Sequence, residues 1–399
     1  MKNSSDRRTD PPKKRIHALV SSMGTASKAE LLPASGMTGS SLTRLLDEMV
    51  AEKLLSASRL GPSSGGRKPI LYEINPESGY FFGLEISRRT SSLGFFDARM
   101  NAKALLHWRM DEAMTPEQLV DFAARNIRSI LSDHRIEPSQ VRGIGIGAVG
   151  PLDRKQGLLI APLHFPAPGW KDVPICRLLE ERTGIPARLE NGANAALLGE
   201  RWAMRGDNPQ HLLHVHAGIG IRTAMMSGGS LVHGSVDMEG AAGQMIIHMD
   251  GPRLHSDGNY GAWEAFASVQ AIERKAQADA KAGRRDVPGA AAVPPERITY
   301  DMVLQGLHDG SPYAREIFLQ AAVHLGIGLA NLINVLHPET VLLGGALIRS
   351  SDHVYRTAIE TARRNIYYSP HYSPVFSKGV LQEDAVVVGA ALTVWQEEP

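Results

Sequence analysis

Ser40, Ser41, Thr43 and Arg44 put three short hydroxyl side chains and one guanidinium within five residues. Such groups hydrogen-bond to the edges of bases and to phosphate oxygens. Arg67 and Lys68 add two cations at the tip of the loop GPSSGGRKP (61–69), placed to touch phosphate or a minor groove. His211, His214 and His216, in HLLHVHAG, have metal-ligating chemistry. His214 and His216 would share one face of a strand, but no fourth ligand stands close in sequence, so all three are read as packing residues.

The elements around the hydroxyl cluster can be read from spacing. Ser27 and Glu30 have the separation of a capping box, which opens a helix over SKAELLPASG. Pro33 should shorten or bend that helix. Gly36 supplies a turn, and Thr38 caps a second helix in which Leu42, Leu45, Leu46 and Met49 recur on one face. The opposite face then carries the hydroxyl cluster and Arg44. An upstream helix over Ile16, Leu19 and Val20 completes a three-helix unit. Ile70, Tyr72 and Ile74 alternate as in a strand returning from the Arg67–Lys68 loop. Three helices plus such a loop make a winged helix-turn-helix over residues 14–76, behind a disordered tail at 1–13.

Charge agrees with that reading. Residues 1–75 hold 12 Lys/Arg against 7 Asp/Glu, while the remaining residues hold 31 against 35. A basic head on a slightly acidic body suits a polyanionic partner. The chain has 399 residues and one cysteine, Cys176, which excludes an intrachain disulfide framework. No secretory signal and no apolar run of membrane-spanning length is expected, so the reading is a cytoplasmic protein.

From residue 79 the sequence alternates short strands, glycine turns and amphipathic helices. Strands are expected over 80–86, 91–97 and 102–110, a helix over 116–131, and a buried strand over GIGIGAVG (143–150). A second set begins at 211–234, followed by a helix over 315–336 and a strand over 340–346. Two related α/β halves with a cleft between them are the economical arrangement. Residues 276–297, rich in Ala, Gly and Pro, look like an exposed insertion.

GIGIGAVGPLD (143–153), PARLENGANAALLGE (186–200), AGIGIRTAMMSGGSLVHG (217–234), GAWEAFAS (261–268), NVLHPETVLLGGA (334–346) and VVGAAL (387–392) stand in one order. In that order the chain resembles the ROK family of sugar-responsive repressors and sugar kinases, over about residues 14–395. The loop ahead of the body is similar to its repressor branch. The resemblance implies an actin-like ATPase fold over 79–399. Lobe 1 would span about 79–200 and lobe 2 about 211–380, with a C-terminal helix at 387–395 returning to lobe 1.

The same resemblance lets kinase chemistry be checked position by position. A phosphate-holding Gly-Gly-Thr-Lys turn becomes Ser87, Arg88 and Arg89, with Glu85 standing for the acid beside it. The E-N-D-A-N motif, whose Asp would take the sugar hydroxyl proton, reads Glu190-Asn191-Gly192-Ala193-Asn194. A glycine has nothing to accept that proton, so no catalytic residue and no cofactor are expected. The zinc-binding histidine and three cysteines become Gln244, His255, Asp257 and Ala262, with Trp263 beside them. That exchange removes the thiolates and leaves only a weak oxygen/nitrogen set of His248, His255 and Asp257. Gly344 and Gly345 match a glycine pair on the adenosine side and are read as packing glycines.

Asn191 and Glu264 match positions that hydrogen-bond sugar hydroxyls. The Glu and His of a G-E-x-G-H motif become Ala241 and Gln244, and Glu239 could supply the lost carboxylate. The expectation is a transcriptional repressor, homodimeric or homotetrameric, that binds double-stranded operator DNA. It would sense a sugar-like effector through Asn191, Glu264, Glu239 and Gln244, and ligand and DNA would weaken each other reciprocally. The alternatives are a sugar kinase with a relocated base and a regulator whose body only dimerises.

Overall fold

Helical spacing at 42–49 and alternation at 70–74 set the architecture of the first 75 residues. The computed structural model describes residues 11–60, 69–237, 241–367 and 370–395. α1 (Pro12–Met23) starts at a proline, whose missing N–H costs nothing in a first turn. It buries Ile16, His17, Val20 and Ser21, so an imidazole joins the expected apolar face and Leu19 is only half-buried. After β1 (Thr25–Ser27), α2 (Lys28–Ser35) opens on the capping box: Glu30 N–H donates to Ser27 Oγ and Ser27 N–H to Glu30 Oε2. Pro33 lies inside α2, and the helix ends two residues later at Ser35, capped by Gly36, whose φ of 63° a side chain would resist. α3 (Gly39–Ala51) buries Leu42, Leu45, Leu46 and Met49. β2 (Leu55–Leu60) and β3 (Ile70–Ile74) pair antiparallel, and β1 joins the other edge of β3.

The chain divides into two units, Met1–Asn208 with His233–Asp237 and Glu383–Pro399, and Pro209–Val232 with Met238–Gln382. Beyond the head, the first unit contains β4 (Tyr80–Ile86), β5 (Thr90–Asp97), β6 (Ala102–Arg109), α4 (Pro116–His134) and β7 (Val141–Ala148). A small hairpin of β8 (Leu152–Asp153) and β9 (Leu158–Leu159) follows. Then come α5 (Ile175–Thr183), β10 (Ala187–Asn191) and α6 (Gly192–Ala203). The sheet order is β10-β7-β4-β5-β6, with β10 and β4 parallel to β7 and the rest antiparallel. Phe82, Phe95, Ile144 and Ile146 meet Leu119, Val120 and Ile127 of α4 in its core.

The second unit holds β11 (Leu212–Ala217), β12 (Ile221–Ser227), β13 (Ser230–Leu231), α7 (Val269–Lys281), α8 (Tyr300–His308) and α9 (Pro312–Leu336). It continues with β14 (Thr340–Gly344), α10 (Ala346–Arg349), α11 (Asp352–Asn365) and β15 (Val375–Ser377). Its sheet runs β13-β12-β11-β14-β15. The exposed insertion expected at 276–297 holds only in part: residues 281–286 are exposed, but its start is part of α7, where Ala is a strong helix former, and Ala276 and Val287 are buried in the core. The expectation that no apolar run reaches spanning length also fails for α9, which is long and apolar enough by composition. Tyr313, Phe318, Leu325 and Leu329 spend that apolarity on the unit's core. α12 (Ala385–Trp395) returns the chain to the first unit.

Candidate nucleic-acid and effector sites

The start of α3 is built to be seen by solvent. Thr38 caps it by accepting the Ser41 N–H, and Ser40, Ser41 and Arg44 are exposed. The Thr38 hydroxyl lies within hydrogen-bond distance of the Ser40 and Ser41 hydroxyls, forming a small cluster. Thr43 differs: its hydroxyl donates to the Gly39 carbonyl at 2.8 Å and the residue is half-buried. Its methyl is therefore what it can offer a base. Lys28, which sequence reading passed over, brings its ammonium to about the β-carbon position of Gly39, 4.0 Å away. Lys13 bridges Glu48 and Glu52 at 2.7 Å each and ties α1 to α3. Arg67 and Lys68 lie outside the described residues.

The E-N-G-A-N stretch forms the end of β10 and the first turn of α6. Asn191 is the cap: its Oδ1 accepts the Asn194 N–H at 2.7 Å. Gly192 is buried as the first helical residue. Glu190 closes the turn from behind, accepting the Asn191 N–H at 2.9 Å and Asn194 Nδ2 at 3.0 Å on one oxygen. Its other oxygen meets His233 Nε2 at 3.2 Å and an Arg154 nitrogen at 3.3 Å. Arg154 also pairs with Asp237 at 2.8 Å. Burial alone would raise the Glu190 pKa, but the His233, Asn194 and Asn191 hydrogen bonds and the Arg154 charge outweigh it and hold the carboxyl below its usual range. No local signal marks Arg154, His233 or Asp237, because their partners lie 36 to 83 residues away.

In the second unit Gln244 and Glu264 meet directly. Gln244 Nε2 donates to Glu264 Oε1 at 2.6 Å, and the Ile221 N–H lies 3.5 Å from Glu264 Oε2. The carboxylate is buried under two glycines: a β-carbon at Gly220 or Gly243 would stand 2.9 Å from Oε2. Gln244 also holds the following loop, taking the Asn259 N–H on Oε1 and Asn259 Nδ2 on its backbone carbonyl. Glu239 lies outside the described residues. Trp263 anchors the same loop from the core, its indole donating to the His324 carbonyl. Among the described residues no group of three or more His, Cys, Asp or Glu is gathered for a metal ion, so His248, His255 and Asp257 are not brought into one. His248 instead stands 5.9 Å from the Phe266 ring.

Elsewhere, the β4–β5 turn is closed by its own side chains. Ser91 Oγ accepts the Ser87 N–H, Ser92 Oγ donates to Glu85 Oε2, and Arg88 reaches the Leu163 carbonyl. A turn that spends its N–H on a serine has less to offer phosphate. Arg89 lends its carbonyl to the Met110 N–H. His214 and His216 have ring centroids 6.4 Å apart on β11, and His211 is near Ser227. Gly345, at φ 97°, packs against the Ala217 carbonyl, a contact no larger residue allows. Burial pushes the Cys176 thiol up to about 12, which keeps it inert.

Similarity to known proteins runs along most of the chain. The sequence model of the ROK family matches residues 83–397. A xylose repressor of Caldicellulosiruptor bescii is 25% identical over 370 residues, covering 92% of this chain and 91% of its own. A glucokinase of Halalkalibacterium halodurans is 28% identical over 272 residues, 67% of this chain and 80% of its own. The crystal structure of a ROK family transcriptional regulator, a homolog of the E. coli MLC protein, superposes with a TM-score of 0.76. It is 20% identical and covers 96% of both chains.

Proposed function

With its family's match running over residues 83–397, this chain belongs to the ROK family, and we propose that it is a DNA-binding, sugar-responsive transcriptional repressor without kinase activity. The observation that carries the reading is the head. α3 buries one apolar face and turns Ser40, Ser41 and Arg44 outward at a capped N-terminus, with Lys28 beside it. A helix N-terminus with exposed N–H groups, hydroxyls and cations suits phosphate and base edges. We read the head as a winged helix-turn-helix, with Arg67 and Lys68 at the wing tip. Full-length similarity to a xylose repressor supports this, whereas the glucokinase covers only two thirds of the chain.

Gly192 at the proton-accepting position supports the absence of phosphoryl transfer, as does the closed β4–β5 turn. Sugar recognition is assigned to Asn191 in the first unit and to Gln244 and Glu264 in the second. Each keeps an amide or carboxylate able to exchange its partners for hydroxyls. Glu239 is a further candidate. The acting form is a homodimer or homotetramer, matching the two-fold symmetry of operator sites.

The test is DNA retention on the chain's own upstream region against scrambled DNA, at two salt concentrations, with D-xylose, D-glucose and their phosphates. Specific, salt-weakened binding released by one sugar is expected. Binding equal to that on scrambled DNA would overturn the reading. Specific binding that no sugar releases would leave a body that only assembles the heads. The glucokinase similarity favours a second reading, a kinase with a relocated base, tested by ATP turnover of the wild type and of Gly192→Asp. Turnover in neither is expected.

A further inference from the structure

The head is fastened to the rest of the first unit at two points that share one platform. On α1, His17 is buried against Trp395 at the end of α12, with ring centroids 5.4 Å apart. On the β3 side, Arg99 donates through Nε to the Ile74 carbonyl at 2.6 Å and pairs with Glu73 at 3.0 Å. The two points meet because Trp395 Nε1 donates to the carbonyl of Ala98, the neighbour of Arg99. Asp97 braces that turn by accepting N–H groups from Arg99 and Asn101. Trp395 stands at the C-terminal end of one helix, and the Ala98–Arg99 turn connects two strands.

The platform is also joined to α6, the helix that Asn191 caps. Trp202, near the far end of α6, packs edge-on to Trp395 at 5.1 Å and lies under the Arg205 guanidinium at 4.7 Å. Between these ends α6 and α12 touch backbone to backbone. A β-carbon on Gly389 would overlap the Ala195 carbonyl, and one on Gly199 the Ala385 carbonyl. α12 is held as tightly on its other side, where a β-carbon on Gly83 or Gly145 would overlap the carbonyls of Val387 or Ala390. Interfaces without side-chain slack do not absorb small displacements, because packed cores deform little. Asn191 and Trp202 are eleven residues, about three turns, apart on a helix rising about 1.5 Å per residue. A change at the capped end therefore reaches Trp202 rather than dissipating within α6.

We propose that Trp202, Trp395 and His17, with the Ala98–Arg99 turn, are positioning residues that transmit the state of the α6 N-terminus to the DNA-reading head. This inference rests on the repressor reading for its purpose, and it specifies that reading's regulation. The head then answers to α6 by movement of α1 and β3 together, and α3 follows because Lys13 and the buried face of α1 tie it to them.

A double-mutant cycle on the full chain tests it, pairing Asn191→Ala with His17→Ala. These positions share no contact, so their effects add unless something carries the change between them. Two readouts are taken without any sugar: hydrogen exchange of the α1 amides and affinity for the upstream DNA. Asn191→Ala should speed α1 exchange in the wild type and leave it unmoved once His17 is gone, a non-additivity of roughly three- to tenfold. His17→Phe, which keeps a ring against Trp395, should restore the coupling. Additive effects in both readouts would overturn the proposal. Should Asn191→Ala fail to fold, Asn191→Ser keeps a cap and serves in its place. A chain that bound no DNA would defeat the repressor reading alone, since α1 exchange still reports the coupling. Specific DNA binding with an additive cycle would defeat this inference alone.

Discussion

Two helices of the first unit begin in the same way and end up with opposite roles. α3 and α6 each carry a polar cap, Thr38 and Asn191, that accepts a backbone N–H three residues on. At α3 the surrounding groups are exposed hydroxyls, Arg44 and Lys28, so the helix presents a positive end to solvent. At α6 the chain supplies its own anion. Glu190 fills the space behind the turn, takes the Asn191 N–H, and is itself matched by His233 and Arg154. One helix N-terminus is left open for an outside anion and the other is answered from within. On the proposed reading, that difference separates a surface that meets DNA from a turn that holds a helix in place.

The largest effect expected from breaking this contrast is in stability. Glu190→Ala should lower unfolding free energy by about 2–3 kcal/mol, since it strips a buried carboxylate from donors that then lack it. Thr38→Ala should cost only about 1 kcal/mol, the ordinary loss of a cap. Urea unfolding of the two variants measures both, and equal losses would erase the contrast. Next comes DNA affinity. Arg44→Ala should weaken operator binding by about tenfold or more with no change in unfolding.

Acid should sharpen the same distinction. The folded Glu190 carboxyl sits below its reference value of 4.5, so the unfolded chain takes up its proton first. Its contribution is complete above that reference and is lost as pH falls through the folded value. The stability difference between wild type and Glu190→Gln should therefore shrink as pH falls below 4.5. The smallest effect belongs to Lys28→Ala, which should reduce the slope of log affinity against log salt by about one.

Local chemistry made much of the head readable. The Ser27–Glu30 box, the Thr38 cap and the Leu42–Met49 stripe each lie within a few residues, where spacing fixes geometry. The strands of 80–110 were legible for the same reason. What sequence reading missed depends on long-range closure. Arg154 and His233 join Glu190 from across the chain, Asp237 joins Arg154, and His17 enters a core where spacing asked for an aliphatic residue. The Ala-rich stretch at 276–297 read as an insertion because composition does not reveal which alanines face a core. In the effector motifs, Asn191 and Glu264 already hold protein partners: the Asn194 N–H is three residues on and within reach of spacing, whereas the Gln244 amide comes from twenty residues away and is not.

The central claim is that the open end of α3 reads operator DNA. Hydroxyl-radical footprinting of the chain on its own upstream region, for wild type and Arg44→Ala side by side, tests it most directly. The account predicts protected half-sites whose centres are separated by about one helical turn of DNA or a multiple of it, with the protection lost in Arg44→Ala. A footprint that persists unchanged in Arg44→Ala, or no footprint for the wild type, would contradict it.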